Sequence, residues 1–518
     1  MQMALLQTTW WTTRWRSLRN ATLAGTAFML LAGGAVRADV KLPNIFTDHM
    51  VLQQAQKNKV WGTAAAGEAV TVTIDKQSHK ATTDADGKWQ VMLDPLPVGG
   101  PYVLAVKGSN EVKIDDVLVG EVWICSGQSN MQWSVNASND PDLERLTAKF
   151  PKLRMINFPQ VGTQEPIWTH ADRKWTVCTP ETVGNFSAVG YFFARQLHRT
   201  LDVPVGMINN AWGGSACEAW IKRDLLTADE KYKPLVDRWT QREAQATELS
   251  GKTGLNDDQT KQFNILKGQM GGNSRPGNIY NGVLKSHLGY GIKGAIWYQG
   301  ESNADRAYQY RDLFPLMIKS WRDEWAQGDF PFYWVQLADF YAENPNQFDS
   351  KWAELREAQT MTMAKLPNTG EAVIIDIGEG KDIHPKNKVD VGRRLARWAL
   401  AKDYGIAIPY HSPQYKSMEK QGNKIVLTFD HVDGGWRPFE TNELRGFAIA
   451  GEDKKFVWGT AKILPDGKIE VSAAGVETPA SVRYGWADNP VLNMYSAAGL
   501  PLTPFRTDDW PGLTIDAK

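Results

Sequence analysis

The sequence predicts an α/β protein whose central domain is a doubly wound parallel sheet, with accessory β-sandwich or other β-rich domains beside it. Between about residues 115 and 407, short apolar runs alternate with longer amphipathic stretches at helical spacing. That alternation is typical of parallel sheets whose strands are joined by helices. Both ends of the chain instead contain short β-branched runs separated by turn residues, which indicates additional β structure.

The central region contains five apolar runs with the length and composition of buried strands. They are 117–125, 203–208, 292–298, 330–337 and 372–377. Helical spacing is found at 190–201, 308–326, 351–365 and 389–403. The polar span 222–275 has helical propensity and ends in GGNSRPGN. We interpret it as a helical insertion or lid within a catalytic domain at 115–407.

The flanking regions are predicted to be β-rich. Within 39–114, AVTVTI and KWQVML alternate or are β-branched, and DADGK supplies an Asp-Gly turn, so a small β-sandwich is expected. Within 408–518, KIVLTF, GFAIAG, KIEVSA and SVRYGW are separated by the turn-rich stretches DHVDGG and PDG. This second region is predicted to be a C-terminal β-rich domain.

The N-terminus has the features of an export signal. Arg14, Arg16 and Arg19 precede an apolar stretch, 21–36, that is too short and too glycine-broken to span a bilayer. Cleavage after Ala38 is plausible because this residue is small. Residues 1–38 are therefore predicted to be a signal peptide, and the mature chain is expected to be periplasmic or secreted, with no membrane segment.

Composition excludes some classes of function. Lys and Arg number 58, as do Asp and Glu, so there is no electrostatic basis for binding nucleic acid or an anionic membrane. The 22 Trp indicate large cores, with sugar-stacking faces as the alternative. Three Cys allow at most one disulfide, and neither CxxC nor HExxH occurs, so no metal and no cofactor is predicted.

Several reactive side chains follow the predicted strands. In a doubly wound sheet, ligands bind beyond the carboxyl ends of the strands. The chain places there a nucleophile, a base with an acid beside it, and groups able to bind an oxyanion, which are the components of acyl transfer. These residues are Ser129, Gly213, Gly214, Gln299, Asn303, Asp382 and His384.

Each of these residues also has a structural interpretation. Ser129 alone would more often be a turn hydroxyl, Gly213 and Gly214 could serve a tight turn, and Asn303 could cap a helix. His384 is one of eight histidines. The functional interpretation gains weight only because these residues, which follow four different predicted strands, all fall at the same predicted edge of the sheet.

Four motifs in order carry a resemblance to known proteins: GQSNM, WGGS, WYQGESNA and DIHP. This order resembles the SGNH-hydrolase superfamily and, more closely, the sialate O-acetylesterase family. GEVWICSGQSNMQW, GAIWYQGESNA, DIHPKNKVDVGRRLA and NPVLNMYSAAGLPLTPFRTD all look like that family. The resemblance covers nearly the whole chain after the export signal and implies an SGNH-hydrolase fold for the central domain.

The resemblance implies a role for each matched residue. Ser129 would be the nucleophile, His384 the base and Asp382 the residue that orients the imidazole. The oxyanion hole would use the N–H of Ser129, an N–H of Gly213 or Gly214, and a side-chain amide. Losing one such donor typically costs about 10²–10³ in rate.

Two motifs depart from the superfamily pattern. Where Gly-x-Asn is usual, WYQGESN aligns Gln299 with the Asn, so Gln299 is the first choice of amide and Asn303 the second. Where Asp-x-x-His is usual, the chain has Asp382-x-His384. In extended chain, residues two apart point the same way, so Asp382 reaches His384 only if the loop turns. Asp376 is the alternative acid.

The predicted function is therefore a carbohydrate O-acetylesterase acting through a serine acyl-enzyme. The acetylated substrate could be a sialic acid or a hemicellulose such as xylan or xyloglucan. Two alternatives remain at this stage: a non-catalytic glycan-binding protein, and a broad serine esterase or acyltransferase that uses the same residues.

Overall fold

The computed structural model describes residues 38–517 and shows a mixed α/β fold built on a large, mostly parallel sheet. Six strands pair in parallel in the order β13-β12-β11-β7-β10-β8, and β9 adds an antiparallel edge. The predicted export signal, residues 1–38, lies outside the described residues except for Ala38. None of the helices among residues 38–517 has the length and apolar character needed to cross a bilayer.

The strands in chain order are β1 Val51–Gln53, β2 Asn58–Thr63, β3 Ala69–Ile74, β4 Gln77–Thr82, β5 Lys88–Leu93, β6 Gly99–Lys107, β7 Glu111–Gly127, β8 Phe150–Asn157, β9 Thr176–Cys178, β10 Val205–Asn209, β11 Gly294–Tyr298, β12 Phe332–Val335, β13 Thr369–Ala372, β14 Gln414–Gln421, β15 Lys424–Asp430, β16 Phe447–Gly451, β17 Val457–Trp458, β18 Thr460–Ile463, β19 Ile469–Ser472, β20 Pro479–Tyr484 and β21 Phe505–Arg506.

The α-helices are α1 Ser129–Gln132, α2 Pro141–Thr147, α3 Ala188–Leu201, α4 Arg223–Thr227, α5 Lys233–Ser250, α6 Asp257–Met270, α7 Asn278–Gly282, α8 Ala307–Trp325, α9 Lys351–Lys365 and α10 Lys388–Lys402. Helices α3, α8, α9 and α10 lie where the amphipathic stretches predicted them. The span 222–275 contains α4, α5 and α6, in agreement with its helical propensity, and its role as a lid stays a prediction.

The long strand β7 connects the N-terminal β structure to the central sheet. Its first half pairs with β6, while its second half, ending at Gly127, pairs with β10 and β11. Strand β1 also runs parallel to it. The N-terminal strands therefore share one continuous backbone element with the strand that leads into GQSNM.

Alternate residues of the central strands face two different apolar clusters. In β7, Val122 and Ile124 belong to a cluster that includes residues of α8 and α9. Trp123 and Cys125 belong to a second cluster that includes residues of α3 and α10. A strand buried on both faces has an almost continuous apolar sequence, which is why these strands could be recognised. Six tryptophans are fully buried, so these indoles serve the core: Trp123, Trp175, Trp220, Trp297, Trp321 and Trp334.

Three strands of the central sheet, β8, β9 and β13, differ from the sequence prediction. Strand β8 was not predicted, because FPKLRMIN contains charged residues; the buried Arg154 is neutralised by Asp116, with Nη1 and Oδ2 2.7 Å apart. The predicted strand 372–377 is displaced to Thr369–Ala372. Beyond it the Val373 carbonyl accepts a hydrogen bond from the Arg394 side chain, 2.7 Å away.

The C-terminal region forms two four-stranded sheets, β14-β15-β19-β18 and β17-β16-β20-β21. Their apolar side chains form a separate cluster that includes Ile425, Ile449 and Val482. All three cysteines, Cys125, Cys178 and Cys217, are buried free thiols.

Candidate active site

Ser129 stands immediately beyond the carboxyl end of β7, at the first position of the short helix α1. The chain leaves the strand at Gly127, whose φ is 130°; a Cβ there would lie 2.2 Å from the Tyr298 carbonyl oxygen. Only glycine fits this close approach. Because Ser129 is in the first turn of a helix, its N–H has no partner within the helix and can donate elsewhere.

His384 is hydrogen-bonded to Ser129, with Nε2 and Oγ 2.8 Å apart. The imidazole stacks on the Trp133 indole, with ring centroids 4.5 Å apart and planes inclined by 10°. Trp133 is itself held by a 2.7 Å hydrogen bond from its indole N–H to the Ala137 carbonyl. The hydrogen bond between Ser129 and His384 is the nucleophile-to-base contact that acyl transfer needs.

Asp382 contacts His384 through the turn between them. Its Oδ1 accepts the His384 backbone N–H at 2.9 Å and lies 3.5 Å from the imidazole Nδ1. The loop therefore turns, as Asp-x-His requires. The alternative acid, Asp376, forms a bidentate ion pair with Arg394, at 2.6 and 2.7 Å.

Burial of the imidazole lowers the pKa of His384 from its usual value, and the positive charge of Lys388 lowers it further, while the Asp382 carboxylate opposes both. The lowered pKa favours the neutral form of the His384 imidazole. A neutral imidazole can accept the Ser129 proton on Nε2 when Nδ1 carries its own proton.

Gly213 lies beside the nucleophile. A Cβ on it would be 3.4 Å from the Ser129 Cβ, and its N–H donates to the Gln132 side-chain oxygen at 2.7 Å. Gly214 has a φ of 70° and is exposed. Of the two glycines, only Gly213 has Ser129 among the atoms that an added Cβ would contact.

The two amides predicted for the oxyanion hole are buried and already bonded. Gln299 Nε2 donates to the Ser215 carbonyl at 3.1 Å and to Asn303 Oδ1 at 2.7 Å. Asn303 Nδ2 donates to Glu218 Oε2 at 2.9 Å. In this structure both side chains are committed to a network beneath the site.

A cavity of about 710 Å³ opens over Ser129 and His384. Its walls include Trp133, Asn209 and Arg173. None of these three was singled out in the sequence for a role. Asn209 had a detectable signal, since it is the last residue of β10, at the carboxyl end where ligands bind, and it lies shortly before WGGS, whereas Arg173 lies in a loop without a motif.

Comparison with known proteins gives consistent results. The family model described as carbohydrate esterase, sialic acid-specific acetylesterase, matches residues 119–252 and 272–401. The chain is 30% identical to sialate O-acetylesterase of Mus musculus over 88% of this chain and 92% of that one. It is 27% identical to the Homo sapiens sialate O-acetylesterase, over 91% and 94% of the two chains. The chain belongs to the sialic acid-specific acetylesterase family of carbohydrate esterases.

A solved structure, of a carbohydrate acetylesterase from Xanthomonas citri, is similar throughout, at 37% identity. Its TM-score is 0.79, and the match covers 91% of this chain and all of that one. As a member of the acetylesterase family, the chain is a carbohydrate O-acetylesterase, an ester hydrolase acting on an acetylated carbohydrate. A non-catalytic glycan-binding function is not favoured.

The two segments that match the acetylesterase family contain all seven residues predicted for the site, from Ser129 to His384. Helix α6, Asp257–Met270, falls in the gap between them. Residues 253–271, the part of the predicted insertion that the family model does not match, contain none of the predicted site residues.

Proposed function

We propose that this acetylesterase works through an acetyl-enzyme on Ser129, with His384 as the base and Asp382 as the residue that orients it. The 2.8 Å contact between Ser129 Oγ and His384 Nε2 is the observation that carries the proposal. In support, Asp382 Oδ1 is the acidic oxygen 3.5 Å from the other imidazole nitrogen, whereas Asp376 is occupied by Arg394.

The proposed reaction has two halves. Ser129 Oγ attacks the acetyl carbonyl carbon while its proton passes to His384 Nε2. The tetrahedral intermediate then breaks its bond to the sugar oxygen, which takes the proton from His384. Water next attacks the acetyl group, His384 accepts a proton from it, and acetate leaves as the proton returns to Ser129.

The developing oxyanion needs donors, and we propose the N–H groups of Ser129 and Gly213 as two of them. Gly213 would release Gln132 to do so. For the amide, the resemblance favours Gln299, then Asn303. Asn209 is a third candidate, supported by its position on the cavity wall, where its Nδ2 donates to Asn157 Oδ1 at 2.8 Å and has a second proton to donate.

Replacing Asn209 and Gln299 in turn separates the amide on the cavity wall from the amide that the resemblance favours first. Asn209→Ala is expected to lower kcat about 10²-fold with little change in KM, since an oxyanion donor acts mainly on the transition state. Gln299→Leu is expected to lower Tm by several degrees while kcat falls less than about 10-fold, because it removes buried hydrogen bonds. If a folded Gln299→Leu variant instead loses about 10² in kcat while Asn209→Ala does not, Gln299 is the donor.

For the substrate, we propose an acetylated sialic acid, whose carboxylate would bind Arg173. The curated relatives named above are sialate O-acetylesterases. Arg173 lines the Ser129 cavity, its Nε is buried without a hydrogen-bond partner, and it has no ion pair among residues 38–517. A neutral acetylated hemicellulose is the second candidate, favoured by aromatic and amide groups on the same walls, such as Trp133 and Asn209.

Acetate release from acetylated sialic acids, xylan and xyloglucan tests this choice. The sialic acids are expected to give the highest kcat/KM, and Arg173→Gln is expected to lower it about 10–100-fold, because a hydrogen bond to a charged group is lost. Activity on xylan should be unchanged by that substitution. Lys174→Gln is the matched control, since it removes the same charge from an exposed neighbour outside this cavity. Preference for xylan, or indifference to Arg173→Gln, would favour hemicellulose.

We also propose the doubly wound SGNH arrangement for the catalytic domain, with boundaries at 39–114, 115–407 and 408–518. Support comes from the parallel strand order and from the two apolar clusters shared by the sheet and its helices. An export signal at 1–38 would make the mature enzyme periplasmic or secreted. An experimental structure tests the first proposal, and N-terminal sequencing, expected to begin at Asp39, tests the second.

A further inference from the structure

Lys388, at the start of α10, is fully buried behind the nucleophile. Its Nζ donates to Asn130 Oδ1 at 2.6 Å and lies 5.3 Å from the centroid of the Tyr298 ring. Lysine is rarely buried, because removing its charge from water is costly unless a partner compensates. A buried lysine that is hydrogen-bonded to Asn130, the residue next to the nucleophile, therefore calls for a specific role.

Asn130 connects the two segments that carry the proposed nucleophile and base. It follows Ser129 in α1, and its Nδ2 donates to the Ile383 carbonyl, 2.9 Å away in the residue before His384. The same Nδ2 donates to Glu301 Oε1 at 2.7 Å. A single amide thus joins α1, the His384 loop and the QGESN loop.

Glu301 supplies the opposite charge in this network. Its Oε2 is buried without a hydrogen-bond partner among the described residues. Burial raises the pKa of Glu301, while the Asn130 hydrogen bond and the Lys388 charge oppose that rise. Asn130 therefore bridges a buried cation and a buried carboxyl group, and its orientation is fixed because its oxygen faces Lys388 and its nitrogen faces Glu301.

We propose that Lys388 is a positioning residue, which acts through the Asn130 and Glu301 bridge to hold Ser129 against His384 and whose charge keeps the base neutral. This inference rests on the proposed roles of Ser129 and His384. Neither Lys388 nor Glu301 needs to touch the substrate, because both act through Asn130 and through the electric field at the imidazole.

The sign of the electrostatic effect follows from the charges around His384. Lys388 disfavours a second positive charge on the imidazole, and Asp382 favours it. Lys388 in turn faces Glu301, Glu379 and Asp382, and burial lowers its pKa to about 7. Arg173 lines the same cavity as His384. At the lower pH where His384 protonates, Lys388 is charged, so its removal should raise the pKa of His384.

The test compares Lys388→Met with Lys388→Arg in the full-length mature enzyme. Lys388→Met is expected to move the acidic limb of the kcat/KM profile upward by about 0.5–1 pH unit and to lower kcat about 10-fold or more. Lys388→Arg keeps the charge and should keep the limb in place. The His384 imidazole pKa, followed by NMR with His384→Asn to assign the signal, should move with the limb. Lys386→Met, an exposed lysine of the same segment, should move neither.

Lys388→Met leaves Glu301 without its counter-charge, which can prevent folding. The double variant Lys388→Met/Glu301→Gln replaces both charged groups and retains an acceptor for Asn130. Its control is Glu301→Gln alone. Relative to that control, the acidic limb of the kcat/KM profile is expected to move upward by the same amount. An active enzyme whose limb and imidazole pKa do not move in the double variant would overturn the role of Lys388. Esterase activity that survives in the Ser129→Ala variant would instead overturn the proposed function.

Discussion

Ser129→Ala is expected to lower kcat on p-nitrophenyl acetate and on acetylated sugars by at least about 10³-fold, leaving only what the remaining groups contribute. The reason is covalent: without Oγ no acetyl-enzyme can form, and His384 alone would have to activate water in an unchanged cavity. Acid quenching during turnover should trap one acetyl group on the wild-type chain at Ser129 and none on the variant. Mass spectrometry of the peptide containing GQSNM measures this.

The loss must be chemical rather than structural. Ser129 is only partly buried, so its substitution should leave Tm within a few degrees of the wild type. Ser302→Ala serves as the matched control, because it removes a nearby exposed hydroxyl that bonds the Gly214 carbonyl at 3.1 Å. If Ser129→Ala keeps most of its turnover, or if the acetyl group is found elsewhere, the serine acyl-enzyme is wrong.

His384→Ala is expected to cost nearly as much as Ser129→Ala, because residues that act as a unit lose the same function when either is removed. In the wild type, protonation of His384 removes the base, so kcat/KM should fall as pH drops through the imidazole pKa. Burial and Lys388 lower that pKa below the ordinary value of 6.5. The acidic limb of the profile should therefore lie below pH 6.5.

Asp382→Asn distinguishes an orienting acid from the base itself. Its 3.5 Å approach to Nδ1 predicts a smaller loss than His384→Ala, together with a downward shift of the acidic limb, because a group that favours the protonated imidazole is removed. Asp376→Asn breaks the ion pair with Arg394 and should lower Tm more than kcat. Equal losses in Asp376→Asn and His384→Ala would contradict this assignment.

The central strands could be predicted because both of their faces are buried. In β11 this gives an unbroken apolar run, and in the second half of β7 a run interrupted only by Glu121, while in α3 and α10 the apolar stripe has helical period. Strand β8 could not be predicted, since Arg154 lies in it and is neutralised only by Asp116, which is distant in sequence. The residues around Arg154 in the sequence do not show that Asp116 will pair with it in the fold.

The sequence by itself determined the family, the acetylesterase activity and the group of residues at the sheet edge, because each motif follows a strand and parallel strands end on one side. Only the tertiary structure decided how those residues meet. It brings Ser129 within 2.8 Å of His384, a residue 255 positions later in the chain. It also commits Gln299 and Asn303 to a buried network and places Asn209 and Arg173 on the cavity wall. Those outcomes depend on hydrogen-bond geometry between distant segments, which spacing along the chain does not encode.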